Sequence, residues 1–161
     1  MNQIPEEHDR GAFSDATKHQ LRRAGWNPTR SVSTTHVIRS LEAEGFTVFP
    51  VVREFLQHFG NLIFKERHGF FHTEITFHFD AQDAADGIFR ERVEDYAELL
   101  HVPLCPIGRA SHATLMMDPN GAIYGGFDDG LLLWGHTPIE AIENLVQARP
   151  VQTIHDERSP L

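Results

Sequence analysis

The amino-acid sequence predicts an α+β fold, a single antiparallel sheet with helices packed against one face or end. Two observations predict it. Up to Gly60, apolar residues recur at helical spacing and are interrupted by Gly25, Gly45 and Gly60. From Leu62 onward the period falls to 2, and short apolar runs are joined by hairpin signals before one more capped helix. Helices first and hairpin-linked strands after is the α+β order; regular strand–helix alternation would predict a parallel sheet instead.

Residues 1–12 are polar, contain Pro5 and show no periodicity, so they are expected to form a flexible N-terminal arm. Ser14 is the N-cap of the first helix and Asp15 sits in its first turn, where a carboxylate suits the helix dipole. This helix buries Leu21 and Ala24 and stops at Gly25, a residue type suited to the left-handed position after a helix. Trp26 follows at the bend, then Pro28, which keeps the chain from resuming a helix at once, then Arg30. A second helix starts after Ser33 or Thr34, carries Val37, Ile38 and Leu41, and ends at Gly45. Phe46 to Phe49 is a short apolar, extended stretch. After Pro50 a third helix places Val52, Phe55, Leu56 and Phe59 at i, i+3, i+4 and i+7, and Gly60 terminates it.

Leu62 to Lys65 reads as a strand. In Phe70 to Asp80, Phe71, Ile75, Phe77 and Phe79 alternate with His72, Glu74, Thr76 and His78, which is a strand with one core face and one polar face. Val93, Tyr96, Ala97 and Leu100 predict a helix over Glu91 to His101. Strands then follow at Leu104–Arg109, Ala113–Met117, Ala122–Phe127 and Leu131–Trp134. Asp118-Pro119-Asn120-Gly121 is a type I turn signal and Asp128-Asp129-Gly130 a hairpin signal. Thr137-Pro138-Ile139-Glu140 is a capping box, opening a helix that buries Ile139, Ile142, Leu145 and Val146. Residues 149–161 are polar with two prolines and are expected to trail off as a flexible tail, leaving 13–148 as one domain.

The net charge of −9, from 23 acidic and 14 basic residues, argues against direct nucleic-acid binding and favours basic partners. Cys105 is the one cysteine, so no intramolecular disulfide and no cysteine-based zinc site can form. The opening MNQIPEEHDRGAF lacks a signal-peptide pattern, and no apolar run approaches a membrane span. A soluble, cytoplasmic protein is expected.

No catalytic residue, cofactor or metal is assigned. His72, Glu74 and His78 share the polar face of one strand, and His72 and Glu74 lie roughly 6.5–7 Å apart along it, close enough to share an ion. His78 is about 20 Å from His72, too far for the same ion. The segment at Asp118 lacks the alternating oxygen ligands of a calcium loop, Ser111-His112 reads as strand neighbours facing apart, and Gly125-Gly126 belongs to no phosphate-binding pattern. Trp26 reads as a core lid with Arg30 pairing a carboxylate; exposed, the same pair would be an interaction hot spot. Trp134 carries the same ambiguity. The acidic pair Asp128-Asp129 stands at a hairpin tip open to a basic partner. Glu74, Asp128, Asp129 and Trp134 are therefore the candidate partner-binding residues, while Gly25, Trp26, Pro28, Arg30, Phe59 and Gly60 form a structural motif.

In order and spacing, GWNPTR (Gly25 to Arg30), FLQHFGNL (Phe55 to Leu62), FHFD (Phe77 to Asp80), PIG (Pro106 to Gly108), DPNG and the helix capped by Thr137 resemble the third subgroup of the SUKH superfamily of bacterial immunity proteins. The resemblance spans about Phe13 to Ala148. Thr29 stands where the subgroup commonly has Gly, which implies a different turn shape there. Asn61 replaces a second Gly, a mild change because Asn tolerates the left-handed region. The resemblance implies a non-catalytic domain that binds and neutralises a toxin domain of a polymorphic toxin system, one directed in many cases at nucleic acid. The alternatives are a general interaction scaffold without a toxin and a small metal-dependent hydrolase built on His72 and Glu74. Oligomeric state is left open by the sequence.

Overall fold

The computed structural model describes residues 13–68, 73–128 and 130–156, without the side chains of 66–68, 73–75 and 156. The fold is α+β. Three helices come first: α1 (Asp15–Arg23), α2 (Thr35–Ala43) and α3 (Pro50–Phe59). Strands β1 (Ile63–His68) and β2 (Thr73–His78) follow, then helices α4 (Ala81–Asp86) and α5 (Arg90–Leu100). Strands β3 (Cys105–Ala110), β4 (Ala113–Met117), β5 (Ile123–Phe127) and β6 (Gly130–Gly135) lead to helix α6 (Pro138–Gln147) and strand β7 (Gln152–Asp156).

The seven strands form one sheet in sequence order, each antiparallel to the next. A meander of this kind has no crossover; α4 and α5 are inserted in the connection from β2 to β3, and α6 in that from β6 to β7. Helix α4 lies against β3, α6 lies against β6, and α1 packs on α6.

Local chemistry explains the helix ends. Ser14 Oγ accepts from the Thr17 N–H at 3.3 Å and caps α1. At its other end Trp26 N–H donates to Leu21 O at 2.9 Å and Gly25 N–H to Arg22 O at 3.0 Å, the paired bonds of a Schellman stop. That stop requires the φ of +107° at Gly25, which only glycine adopts freely. Thr137 Oγ1 accepts from the Glu140 N–H at 3.1 Å, as its capping box predicts.

Phe77, Phe79, Leu21, Leu41, Leu56 and Ile107 are among the fully buried side chains. Aromatic rings link the helices to the sheet in a chain of contacts: Phe13 to Phe59 at 5.9 Å, Phe59 to Phe55 at 5.2 Å, Phe55 to Phe79 at 4.9 Å, and Phe64 stacked on Phe77 at 4.3 Å. Edge-to-face and offset ring pairs add about 0.5–1.5 kcal/mol each beyond the area they bury.

Three details differ from the sequence expectation. Helix α4 has no large apolar periodicity: it buries Ala81, Ala84 and Ala85, and Asp80 caps it by accepting from the Asp83 N–H at 3.1 Å. Residues 152–156 do not trail off but pair as β7 with β6, because the exposed edge of β6 offers unpaired backbone groups to any segment that returns to it. Ser111 and His112 are not strand residues; they form the tight turn between β3 and β4, with φ +53° at Ser111.

Candidate functional site

The tryptophan turn and the end of α3 form one structural unit. Trp26 is half-buried, stacked on Phe59 at 6.3 Å with an interplanar angle of 9° and edge-on to Phe13 at 5.8 Å. Asn27 Oδ1 accepts from the Thr29 N–H at 2.9 Å and Asn27 O from the Arg30 N–H at 3.0 Å. The turn thus closes without glycine at Thr29, whose φ is not positive. Arg30 pairs no carboxylate among the described residues, contrary to expectation. Its Nη1 donates to the His58 carbonyl at 3.0 Å, while His58 Nδ1 lies 3.0 Å from the Arg30 carbonyl. A carbonyl only accepts, so the His58 proton is on Nδ1. The last turn of α3 has free carbonyls and a negative dipole end, and a cation there satisfies both. Partial burial lowers the Arg30 pKa from its ordinary value. Gly60 follows the helix, and Asn61 takes the left-handed conformation at φ +67° and donates to Phe79 O at 3.0 Å. An open groove of about 710 Å³ lies beside this unit, with Trp26, Phe55, Phe59 and Ile139 in its walls and Glu54 and His58 at hand.

The second region is the β5–β6 hairpin with α5. Phe127 pairs with Gly130, which closes the hairpin, and Asp128 follows Phe127 in a turn. Asp128 is exposed, and Asp129 lies outside the described residues. The tip is held by α5: the Tyr96 hydroxyl donates to Phe127 O at 2.6 Å, and Arg92 Nη2 donates to Asp128 O and to Phe127 O. The Arg92 guanidinium also lies over the Tyr96 ring, 5.2 Å from its centroid. Gly126 makes this possible, since a Cβ there would fall 2.5 Å from Tyr96 Cε2.

Trp134, on β6, lies on the opposite face of the sheet from Tyr96. A Cβ on the neighbouring Gly125 would fall 2.7 Å from Trp134 Nε1, so the indole covers that glycine. Trp134 is half-buried, its Nε1 is occluded without a hydrogen-bond partner among the described residues, and its carbonyl accepts from Asn144 Nδ2 at 2.7 Å. Glu74 sits on β2 opposite Arg67, with its side chain outside the described residues, and distant in register from the tip.

Of the metal candidates, only the His78 side chain falls among the described residues. His72 lies outside the described residues, and His78 spends both ring nitrogens on protein: Nδ1 accepts from the Asp80 N–H at 3.0 Å and Nε2 lies 3.0 Å from Asp83 Oδ2. Among the described residues no group of three or more His, Cys, Asp or Glu side chains is placed to hold an ion. Asp118 is buried, but its carboxylate accepts from the Asn120 and Ala122 N–H groups at 2.8 and 3.1 Å, which makes it the anchor of its turn. It raises the Tyr124 pKa together with burial, the larger cause. Burial pushes the Cys105 thiol up to about 12, which leaves it protonated and unreactive at neutral pH.

The arrangement described so far is an α+β body in which Arg30, His78, Arg92 and Asp118 are engaged within the protein, with Asp128 exposed at the hairpin tip. The model of a known family, SUKH-3 immunity protein, matches residues 13–148. The chain belongs to the SUKH-3 family. Nothing among curated proteins and nothing among solved structures matches it. SUKH-3 proteins are typically non-catalytic immunity proteins, and membership implies neutralisation of a cognate polymorphic toxin by binding it. No helix among the described residues is long and apolar enough to cross a membrane.

Against that background, two features of this SUKH-3 chain escape a reading by motif. The Arg92–Tyr96 clamp on the hairpin joins residues far apart in sequence. The exposed carboxylates of α5 (Glu91, Glu94, Asp95 and Glu98) belong to the same helix that carries the clamp. Their helical spacing was visible, but it marks a solvated face equally well.

Proposed function

We propose that this SUKH-3 protein works in the cytoplasm and neutralises a basic enzyme that acts on nucleic acid. Inhibition is by occlusion: an acidic surface seats on the cationic surface the toxin uses for its polyanionic substrate. The observation that carries this reading is the charge of −9 on a chain of a non-catalytic immunity family. Enzymes that hold nucleic acid concentrate Lys and Arg at their sites, and an acidic inhibitor meets such a site with fast, steered association. The proposed contact set is Asp128, Asp129, Glu74 and Trp134, with the hairpin tip as its leading edge. Trp134 contributes through the part of its ring left exposed beside Gly125.

The test is toxicity rescue. The C-terminal domain of the toxin encoded beside this gene is expressed with and without the chain, and the purified pair is examined for a one-to-one complex. Rescue with a stoichiometric complex is the expected outcome. A folded toxin that neither binds nor is suppressed ends this reading. A bound toxin with no basic surface ends its electrostatic part.

A further inference from the structure

The least expected side chain on the surface is Phe89. It is 83% exposed, against 44% for Leu99, while its neighbour Ile88 packs on the core. The reason is local. Phe89 is the N-cap residue of α5 in an extended conformation (φ −72°, ψ 139°), so alternation along the strand-like entry sends Ile88 inward and Phe89 outward. The Phe89 carbonyl accepts from the Arg92 and Val93 N–H groups, which uses the backbone and leaves the ring without a structural task. Singly scattered hydrophobic side chains are normal on a surface, and Phe89 stands out among them by its exposure and by the charged helix it opens.

Arg90 and Arg92 adjoin Phe89 in sequence, and the exposed charge along the rest of α5, which gives the sign of what would cover this helix, is acidic. Leu99 lies in the last turn of the same helix, about 15 Å along the axis at 1.5 Å per residue. Between them Glu91, Glu94, Asp95 and Glu98 are exposed. Glu94 pairs with Arg90 at 3.2 Å, whereas Glu91, Asp95 and Glu98 have no cationic partner among the described residues. Arg92 is committed to the hairpin carbonyls. Arg92 ties the hairpin tip, which bears the exposed Asp128, to the same helix. An anionic lipid surface or a nucleic acid would be repelled here, and a second copy would bring the same carboxylates face to face.

We propose that Phe89 is the apolar anchor of the toxin interface, entering a recess on a basic protein surface while the carboxylates of α5 and the hairpin tip meet the cations around it. This inference rests on the immunity reading above and adds to it a surface and an anchoring residue. A central aromatic surrounded by charge complementarity is the arrangement in which one side chain carries much of the affinity and the charges set the rate of encounter.

The experiment measures association and dissociation rates of the full chain with the same toxin domain. Phe89→Ala is expected to weaken binding by about 30-fold or more, mostly through faster dissociation. Asp95→Lys is expected to slow association several-fold and flatten its salt dependence, and Glu54→Lys on α3, with the same charge change, to do so much less. Thermal unfolding should be unchanged in Phe89→Ala, because the ring is exposed. Wild-type affinity in Phe89→Ala, beside a wild-type protein that binds and rescues, overturns this surface and leaves the immunity reading standing. A wild-type protein that neither binds nor rescues removes both. Sedimentation of the chain alone supplies one more outcome: a dimer that disappears in Phe89→Ala would assign the residue to self-association and overturn the proposal.

Discussion

The aromatic cluster between α1, α3 and the sheet and the acidic shoulder formed by α5 and the β5–β6 hairpin use opposite chemistry. In the cluster, Phe13, Trp26, Phe55, Phe59, Phe64, Phe77 and Phe79 touch one another through edge and stacked contacts, and Arg30, which follows the tryptophan turn, is turned onto the end of a helix. On the shoulder, the rings that matter are few, carboxylates face solvent, and the hairpin is held by Tyr96 and Arg92 donating to two carbonyls. The difference teaches where each function can reside. Residues whose contacts are saturated internally hold the fold and have little left for a partner; residues with unspent charge and a bare aromatic ring contribute little to stability and are free to bind.

This contrast can be broken by mutation. The largest effect is expected from Phe79→Ala, which empties a fully buried site beside Phe55: about 3–5 kcal/mol of stability lost, read from denaturant unfolding. A loss under about 1 kcal/mol would show that the cluster is not the keystone its ring contacts imply. Next, Tyr96→Phe removes the 2.6 Å hydroxyl bond to Phe127 O and is expected to cost about 1 kcal/mol, with faster amide exchange confined to the hairpin. Exchange that rises across the whole sheet would mean the clamp serves the fold and not only the tip.

The buried side of the comparison also predicts a pH effect. Cys105 ordinarily titrates near 9.0 and is pushed up to about 12 in the folded protein by desolvation. Between those values the unfolded chain releases a proton that the folded chain retains. Stability is therefore full below about pH 9 and falls as pH rises toward 12. Tyr124, also raised, adds to the fall in the same direction, so Cys105→Ala should reduce the alkaline loss without abolishing it. Unfolding midpoints of the two proteins from pH 8 to 11 check this. The smallest effect on stability is expected at the tip: Asp128→Lys with Asp129→Lys should change it by no more than about 0.5 kcal/mol. The same pair should slow association with a basic toxin measurably, and an unchanged on-rate would remove the tip from the interface.

Much of this was legible in the chain itself. The α+β class, the stops at Gly25, Gly45 and Gly60, the hairpin at Asp128, the capped last helix and the left-handed Asn61 follow from local steric and hydrogen-bonding rules that act within a few residues. The same locality explains what was not legible. Helix α4 presents only alanines to the sheet, too small to mark a period, and β7 exists because β6 offers it an edge. Arg30 was expected to find a carboxylate; it meets a carbonyl because the chain returns past the end of α3, a juxtaposition set by packing. Trp134 is half-buried because its indole lies over Gly125, a placement that depends on strand register.

By itself, then, the sequence determined the element types and order apart from α4 and β7, the chain's acidity and the family resemblance, because periodicity, capping and charge are properties of neighbouring residues. Only the tertiary structure decided which polar groups are consumed internally and which remain for a partner. It turned Phe89 outward and Ile88 inward, brought α5 against the hairpin, and closed Arg30 onto α3. Those outcomes depend on contacts between residues tens of positions apart, where the choice among competing partners is made by how whole elements pack.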